Sequence, residues 1–322
     1  MDYNQGIFAL LPAALTITAP IFILISLGAW LCHIKFINDA FIHVSSKFIF
    51  NIGLPVILFT STAAHDFKHL INLSNIAVIT ITTLLVYFLS SLSAGKFIME
   101  KRDKGVFVQG AFRGNLIIVG LAFCANAYPE KGIAIATIPT AITIIMYNLL
   151  SIYTLNNSLH NQGASLKKNL VDIIKNPLII GIMAGLLANL LNFSTPEIII
   201  QSNQYIAQMT LPLALIAIGG SLNFLQIKQN IKTAFVASVW KIVISPLVLV
   251  VLLFFIPIDP TAAGVLFLLT ASPTATASLI MVQSMRGNSD LAAKIIILST
   301  LLSLFTVTIG FAILVSTKII AF

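Results

Sequence analysis

The sequence predicts an all-α integral membrane protein: ten transmembrane helices in two inverted five-helix repeats, with helices four and nine discontinuous and crossed. Three observations point there. The chain has 322 residues, of which 58% are hydrophobic and only 9% charged, with a mean hydropathy of +1.01. Soluble domains average about 25% charged residues, so most of this chain belongs in lipid. Basic residues fall almost entirely on alternate connections between the apolar stretches. Helix-breaking residues recur at matching places in the fourth and ninth stretches.

The apolar stretches run at about 8–32, 41–64, 73–97, 106–127, 133–155, 177–193, 204–225, 233–257, 261–284 and 291–317. The first is too long, and lacks a basic leader, for a cleavable signal. The longest and most polar connection, 156–175, divides them into two sets of five. Thirteen of the eighteen Lys and Arg residues sit on one side, in the connections after the odd-numbered spans (Lys35, Lys101, Lys175 and Arg286 among them). Lys68, Lys131 and Lys318 sit on the other, and Arg113 and Lys241 fall within spans. The positive-inside rule then puts the rich side in the cytoplasm and both termini outside. The same topology explains the formal net charge of +8 without a nucleic-acid partner. Cys32 and Cys124 lie in separate apolar stretches and suggest neither a disulfide framework nor a metal site.

An odd number of spans per half makes the halves enter the membrane from opposite sides, as in transporters built from inverted repeats. Span two reads NIGLPVILFTSTAAHDF and span seven QMTLPLALIAIGGSLNF, with Pro55 matching Pro212 and Phe67 matching Phe224 at one offset, 157. Gly105 in span four matches Gly264 in span nine at 159, which sets Gly114-Asn115 opposite Pro273-Thr274. Proline removes a backbone hydrogen bond, and lipid offers no water to replace it. Two such breaks in matching spans are expected where half-helix ends face a cavity, and paired N-terminal ends can hold an anion. Thr270, Ser272, Thr274, Thr276 and Ser278 then either cap freed backbone groups or meet a ligand.

The segments AFRGNLIIVGLAF, LPLALIAIGGSL, ASPTATASLIMV and IILSTLLSLFTVTI, in spans four, seven, nine and ten, resemble the auxin efflux carrier family. That family includes plant auxin exporters and bacterial permeases for malate, malonate and related organic anions. The resemblance implies a fold like that of bile-acid/sodium symporters. It divides the chain into scaffold helices at 1–64 and 176–226 and transport-domain helices at 65–155 and 227–322, joined by the cytoplasmic linker 156–175, with the transport domain moving as an elevator. It also implies a homodimer through the scaffold. Two departures stand out. NLIIVGLAF has Leu116 and Ile117 where the family often carries small residues, and lacks the family's following proline. The central linker is far too short for a plant exporter with a long loop.

Ionisable residues within the membrane indicate substrate charge. All ten acidic residues lie in termini, connections or interfaces, with Asp66 the one close enough to a span end to face a cavity. The five histidines are peripheral too. Two in-span cations without a central carboxylate suit an anionic substrate rather than a sodium/proton antiporter. The candidate substrate-binding residues are Arg113, Gly114, Asn115, Tyr147, Asn148, Lys241, Pro273, Thr274 and Thr276. Arg113 either anchors a carboxylate with its planar fork or satisfies carbonyls at the break. Lys241 either neutralises substrate charge or binds carbonyls at a helix C-terminus. Asn115 either donates to the anion or caps its half-helix, and Tyr147 either borders the site or fills the core. Gly219-Gly220-Ser221 reads as a close helix contact.

The expected function is an organic-anion carrier in the cell membrane, needing no cofactor or metal and exporting by elevator-type alternating access. The alternative is a Na+- or H+-coupled symporter of organic acids. A channel would lack the repeat. An intramembrane enzyme would need a catalytic set, and the sequence has no HExxH, no Asp-rich metal motif and no embedded Ser–His pair.

Overall fold

Asparagine and aspartate start many of the helices. In a computed structural model of the chain, which describes residues 7–64, 72–159, 175–191, 196–222 and 231–322, α1 spans Ile7–His33. Helix α2 runs through Asp39–Phe48, a π-type stretch Ile49–Gly53, and Leu54–Ala64. Helix α3 spans Leu73–Phe97, and α4 comes as α4a (Lys101–Phe112) and α4b, a π-type turn Leu116–Gly120 continuing through Leu121–Ala127. Then come α5 (Gly132–Leu159), α6 (Pro177–Leu190) and α7 (Glu197–Ser221). Helix α8 consists of Ile231–Val239, a π-type stretch Trp240–Ile244 and Ser245–Leu253. The last are α9a (Pro260–Ala271), α9b (Ala277–Ser284) and α10 (Ser289–Ser316). Asp66, the Phe67–Phe224 match, Lys68, Lys167, Lys168, Lys228 and most of the linker lie outside the described residues.

Each cap satisfies N–H groups that the first helical turn leaves orphaned. Asn38 accepts from Phe41 N, Asn72 from Ser74 N and Asn75 N, and Asn288 from Leu291 N. Asn176 and Asp259 do the same ahead of Pro177 and Pro260, where proline costs nothing because its missing N–H would be unpaired anyway. Of the three π-type stretches among the described residues, those of α2 and α8 precede an internal proline. Leu54 N bonds back to Ile49 O and Ser245 N to Trp240 O, just before Pro55 and Pro246. Widening the turn by one residue relieves the clash of a proline ring with the carbonyl four residues back.

Among the described residues, α1, α2, α3, α5, α8 and α10 are long and apolar enough to cross a membrane. Helix α6, α4b and α9a are shorter apolar helices. The chain is therefore a multi-pass helical membrane protein. Several boundaries differ from the hydropathy reading. Helix α7 starts at Glu197 rather than 204, and α4a at Lys101 rather than 106. Helix α4a opens on Lys101, Arg102 and Asp103, and in α7 the polar run Gln201, Ser202, Asn203 and Gln204 follows Ile198–Ile200. Both stretches are helical but polar and so escape an apolar window.

Small residues set how closely helices approach. A Cβ on Gly28 would strike Ile216 O, and one on Gly219 would strike Ile25 O, so α1 and α7 touch backbone to backbone. Helix α6 lies against α2 in the same manner, Gly181 on Pro55 and Gly185 on Phe59. Helix α1 meets α10 through a buried hydroxyl pair, Thr18 and Thr308 at 2.7 Å, and α4b through Asn126 Nδ2, which donates to Ile17 O at 3.1 Å.

Candidate functional site at two broken helices

Helix α4 is interrupted over residues 113–115 and α9 over 272–276. Arg113 and Ser272 leave the helical region for extended backbone, at ψ 98° and 144°. The two gaps repair each other. Gly114 and Thr274 form an antiparallel bridge, in which Asn115 N donates to Pro273 O at 2.7 Å and Ala275 N to Arg113 O at 3.1 Å. The bonds flank the bridged pair, which is the arrangement that brings opposite Cα atoms closest. Glycine at 114 fits that closeness: a Cβ there would lie 2.8 Å from Lys241 Cε and 2.9 Å from Ser272 Oγ. Side chains complete the repair. Thr274 Oγ1 donates to Gly110 O, Ser272 Oγ to Leu269 O, and Thr274 N to Ser299 Oγ of α10.

A cavity of about 950 Å³ lies on one side of the bridge. Its wall includes Leu54 of α2 and Ala214 and Ile218 of α7, facing α4, α5, α9b and α10. Asp39, Asn176, Ser289 and Asp290 line it where α2, α6 and α10 begin. Two carboxylates at helix starts thus border the cavity where the sequence pointed to Asp66 alone; Asp290 is paired with Lys294. The first residues of both second halves line it too: Asn115 and Leu116 for α4b, Thr276 and Ala277 for α9b. N–H groups at a helix start carry partial positive charge, about half an elementary charge when summed.

Arg113 adds a full charge. Its Nη2 donates to Asn148 Oδ1 at 3.0 Å and its Nη1 to Ser151 Oγ at 3.3 Å, both on α5, with Met281 Sδ of α9b at 3.5 Å. All three partners are neutral. Among the described residues no carboxylate pairs with Arg113; the ion pair there joins Lys294 to Asp290. The guanidinium thus leans on α5 rather than on the carbonyls of the break, and Arg113 and Asn148 both line the cavity. Tyr147 is buried there, edge-on to Phe112 at 5.5 Å, which in turn meets Tyr87 at 5.4 Å.

Six of the nine candidate residues line this cavity: Arg113, Gly114, Asn115, Tyr147, Asn148 and Thr276. Pro273 and Thr274 are buried in the bridge and are not part of its wall, and neither is Lys241. Lys241 is fully buried on the π-type stretch of α8, and its Nζ donates to Thr270 O, in the last turn of α9a. Asn115 makes no side-chain cap to α4b. Thr270 and Ser272 bond carbonyls of their own helix, whereas the Ser278 hydroxyl is buried without a partner. Sequence reasoning missed Ser151 and Gln109. Gln109 is buried beside Met281, with Nε2 3.1 Å from its sulfur and Oε1 unpartnered. Ser151 lies four positions from Tyr147 on one face of α5, and that spacing was the available signal; Gln109 lies in the last turn of α4a, ahead of the break at Arg113.

The sequence pattern of the family described as "Membrane transport protein" matches residues 13–310. The chain belongs to this family, that of the auxin efflux carriers. It is 22% identical to an uncharacterised transporter of Methanocaldococcus jannaschii over 283 residues, 86% of this chain and 88% of the relative. It is 25% identical over 278 residues to a Rhizobium meliloti protein named "Putative malonate transporter", covering 82% of this chain and 84% of that one. Family and relatives are transporters rather than enzymes.

Proposed function

We propose that the protein is a carrier for a small organic anion, exporting a carboxylate by alternating access of elevator type. The observation behind this is the cavity wall: Arg113 without a carboxylate partner among the described residues, beside the starts of two half-helices. A planar guanidinium with N–H groups converging on it suits a carboxylate. In this reading the halves are inverted repeats, and α4 and α9 cross. Helices α1, α2, α6 and α7 form a scaffold that pairs two copies, while the rest carries the site past it. The glycine contacts of α1 with α7 and of α2 with α6 are related by such a repeat, which supports the assignment. The basic connections face the cytoplasm, so a thiol tag at Ser289 should react from that side only. Labelling of intact cells from outside would overturn this orientation.

Export is driven by voltage. A monoanion leaving a negative interior gains about 2.3 kcal/mol per 100 mV, enough for roughly forty- to fiftyfold accumulation outside. Proteoliposomes with equal pH and Na+ on both sides test this. A potassium-diffusion potential should drive anion flux in the direction set by its sign. The resemblance to a protein named for malonate puts short dicarboxylates first in the screen, followed by aromatic and aliphatic monocarboxylates. Flux that ignores voltage and follows a Na+ or pH gradient would establish the coupled symporter instead.

A further inference from the structure

The second in-span cation calls for its own explanation. Lys241 is 0% exposed and takes no part in the cavity wall, so no substrate held there meets its ammonium. No carboxylate pairs with it among the described residues. An unpaired buried charge is strongly destabilising, and a neutral side chain of equal length would fill the same space without that cost. What surrounds it favours a cation. Its Nζ donates to the carbonyl of Thr270, in the last turn of α9a, where helix carbonyls carry partial negative charge. The Ser272 hydroxyl and Lys241 Nζ both lie within 3.0 Å of the point a Cβ on Gly114 would occupy. The ammonium is therefore wedged against the bridge, between the two breaks.

We infer that Lys241 is a tethered monovalent cation: its ammonium does at the meeting of α4 and α9 what a bound sodium ion would otherwise have to do. It holds the carbonyl end of α9a against the α4 break, so the bridge, and the anion site beside it, stand without any ion from solution. The inference extends the carrier reading by assigning the cation of the site to the chain itself. Its test needs no substrate, so a negative result here leaves that reading in place, and failure of voltage-driven flux leaves this inference in place.

Thermal unfolding of the purified protein in detergent, in choline, sodium or ethylammonium chloride, decides it. The wild type should melt at one temperature in all three. Lys241→Ala should melt several degrees lower in choline and recover in sodium or ethylammonium, because the shortened side chain leaves room for a small cation beside Thr270 O. Lys241→Met fills the space without charge and should stay lowered in every medium. Wild-type stability of Lys241→Met overturns the inference, as does an alanine variant that no cation raises, or a wild type that itself requires sodium. If the alanine variant accumulates in no medium, Lys241→Gln takes its place. A lowered transition raised by sodium supports the inference, while a wild-type transition or one that sodium leaves unmoved overturns it.

Discussion

Arg113 borders the cavity beside the bridge and Lys241 packs against Gly114 of the same bridge without reaching the cavity, and the contrast between them shows how a membrane protein uses charge. Arg113 is partly accessible and borders the cavity, and each of its partners is a neutral side chain. Lys241 is sealed, outside the cavity wall, and bonded to a main-chain carbonyl at a helix end. A cation whose partners are neutral retains an attraction for an added anion. A cation set on a helix C-terminus has already spent much of its field on the backbone. From sequence the two looked alike, as lone basic residues inside apolar spans; their surroundings give them different work.

The sharpest way to break this comparison is Arg113→Gln. Removing the cation that faces the cavity should weaken anion binding by about 2 kcal/mol or more, roughly thirtyfold. The unfolding temperature should change little, since Arg113 does not support the bridge carbonyls. Retained anion affinity in a binding assay would show that the half-helix ends suffice alone. Next in size is Gly114→Ala. The new Cβ would sit 2.8 Å from Lys241 Cε, and overpacking of this kind costs about 1–3 kcal/mol. Combined with Lys241→Ala, the penalty should shrink, and equal penalties in both backgrounds would separate Gly114 from Lys241. Asn148→Ala removes the acceptor of Arg113 Nη2. It should cost about 1 kcal/mol, a roughly fivefold weaker apparent affinity measured as anion flux against concentration. The smallest effect is expected for Ser151→Ala, whose hydroxyl is the longer contact at 3.3 Å; about twofold is expected. A larger loss at Ser151 than at Asn148 would reverse the order of the two supports.

Pro273→Ala probes the bridge itself. Alanine retains the carbonyl that accepts from Asn115 N but restores an N–H and admits helical backbone at the preceding residue. Lower flux from a protein that still purifies as a single species is the expected outcome. Unfolding in place of lost flux would give Pro273 a structural role only.

What the residues revealed varies along the chain. The interruptions of α4 and α9 were legible because helix-breaking residues stand at matching places in the two spans; a single Ser-Pro does not suffice, since Ser245-Pro246 is accommodated within α8. The apolar rods were legible because lipid demands length and hydropathy. The starts of α4 and α7 were not, because α4a opens on charged residues and a polar run at 201–204 separates the first turn of α7 from its apolar stretch, and hydropathy measures burial in lipid rather than helicity. Within the site, Asn115, Tyr147 and Asn148 stood out as polar residues in apolar spans, and all three line the cavity. Ser151 did not, because serine is common in membrane helices and bonds back to its own backbone.

The sequence by itself determined membrane residence, the positions of the two breaks and the sign of the charge inside the membrane. These follow from composition and local backbone chemistry, which each residue carries with it. Tertiary structure alone decided which cation meets the cavity. Arg113 and Lys241 are 128 positions apart in sequence, and their roles depend on what stands beside each: an amide and a hydroxyl of α5 for Arg113, the carbonyl end of α9a for Lys241. A charge acts through its neighbours and its distance from water, and only folding sets those.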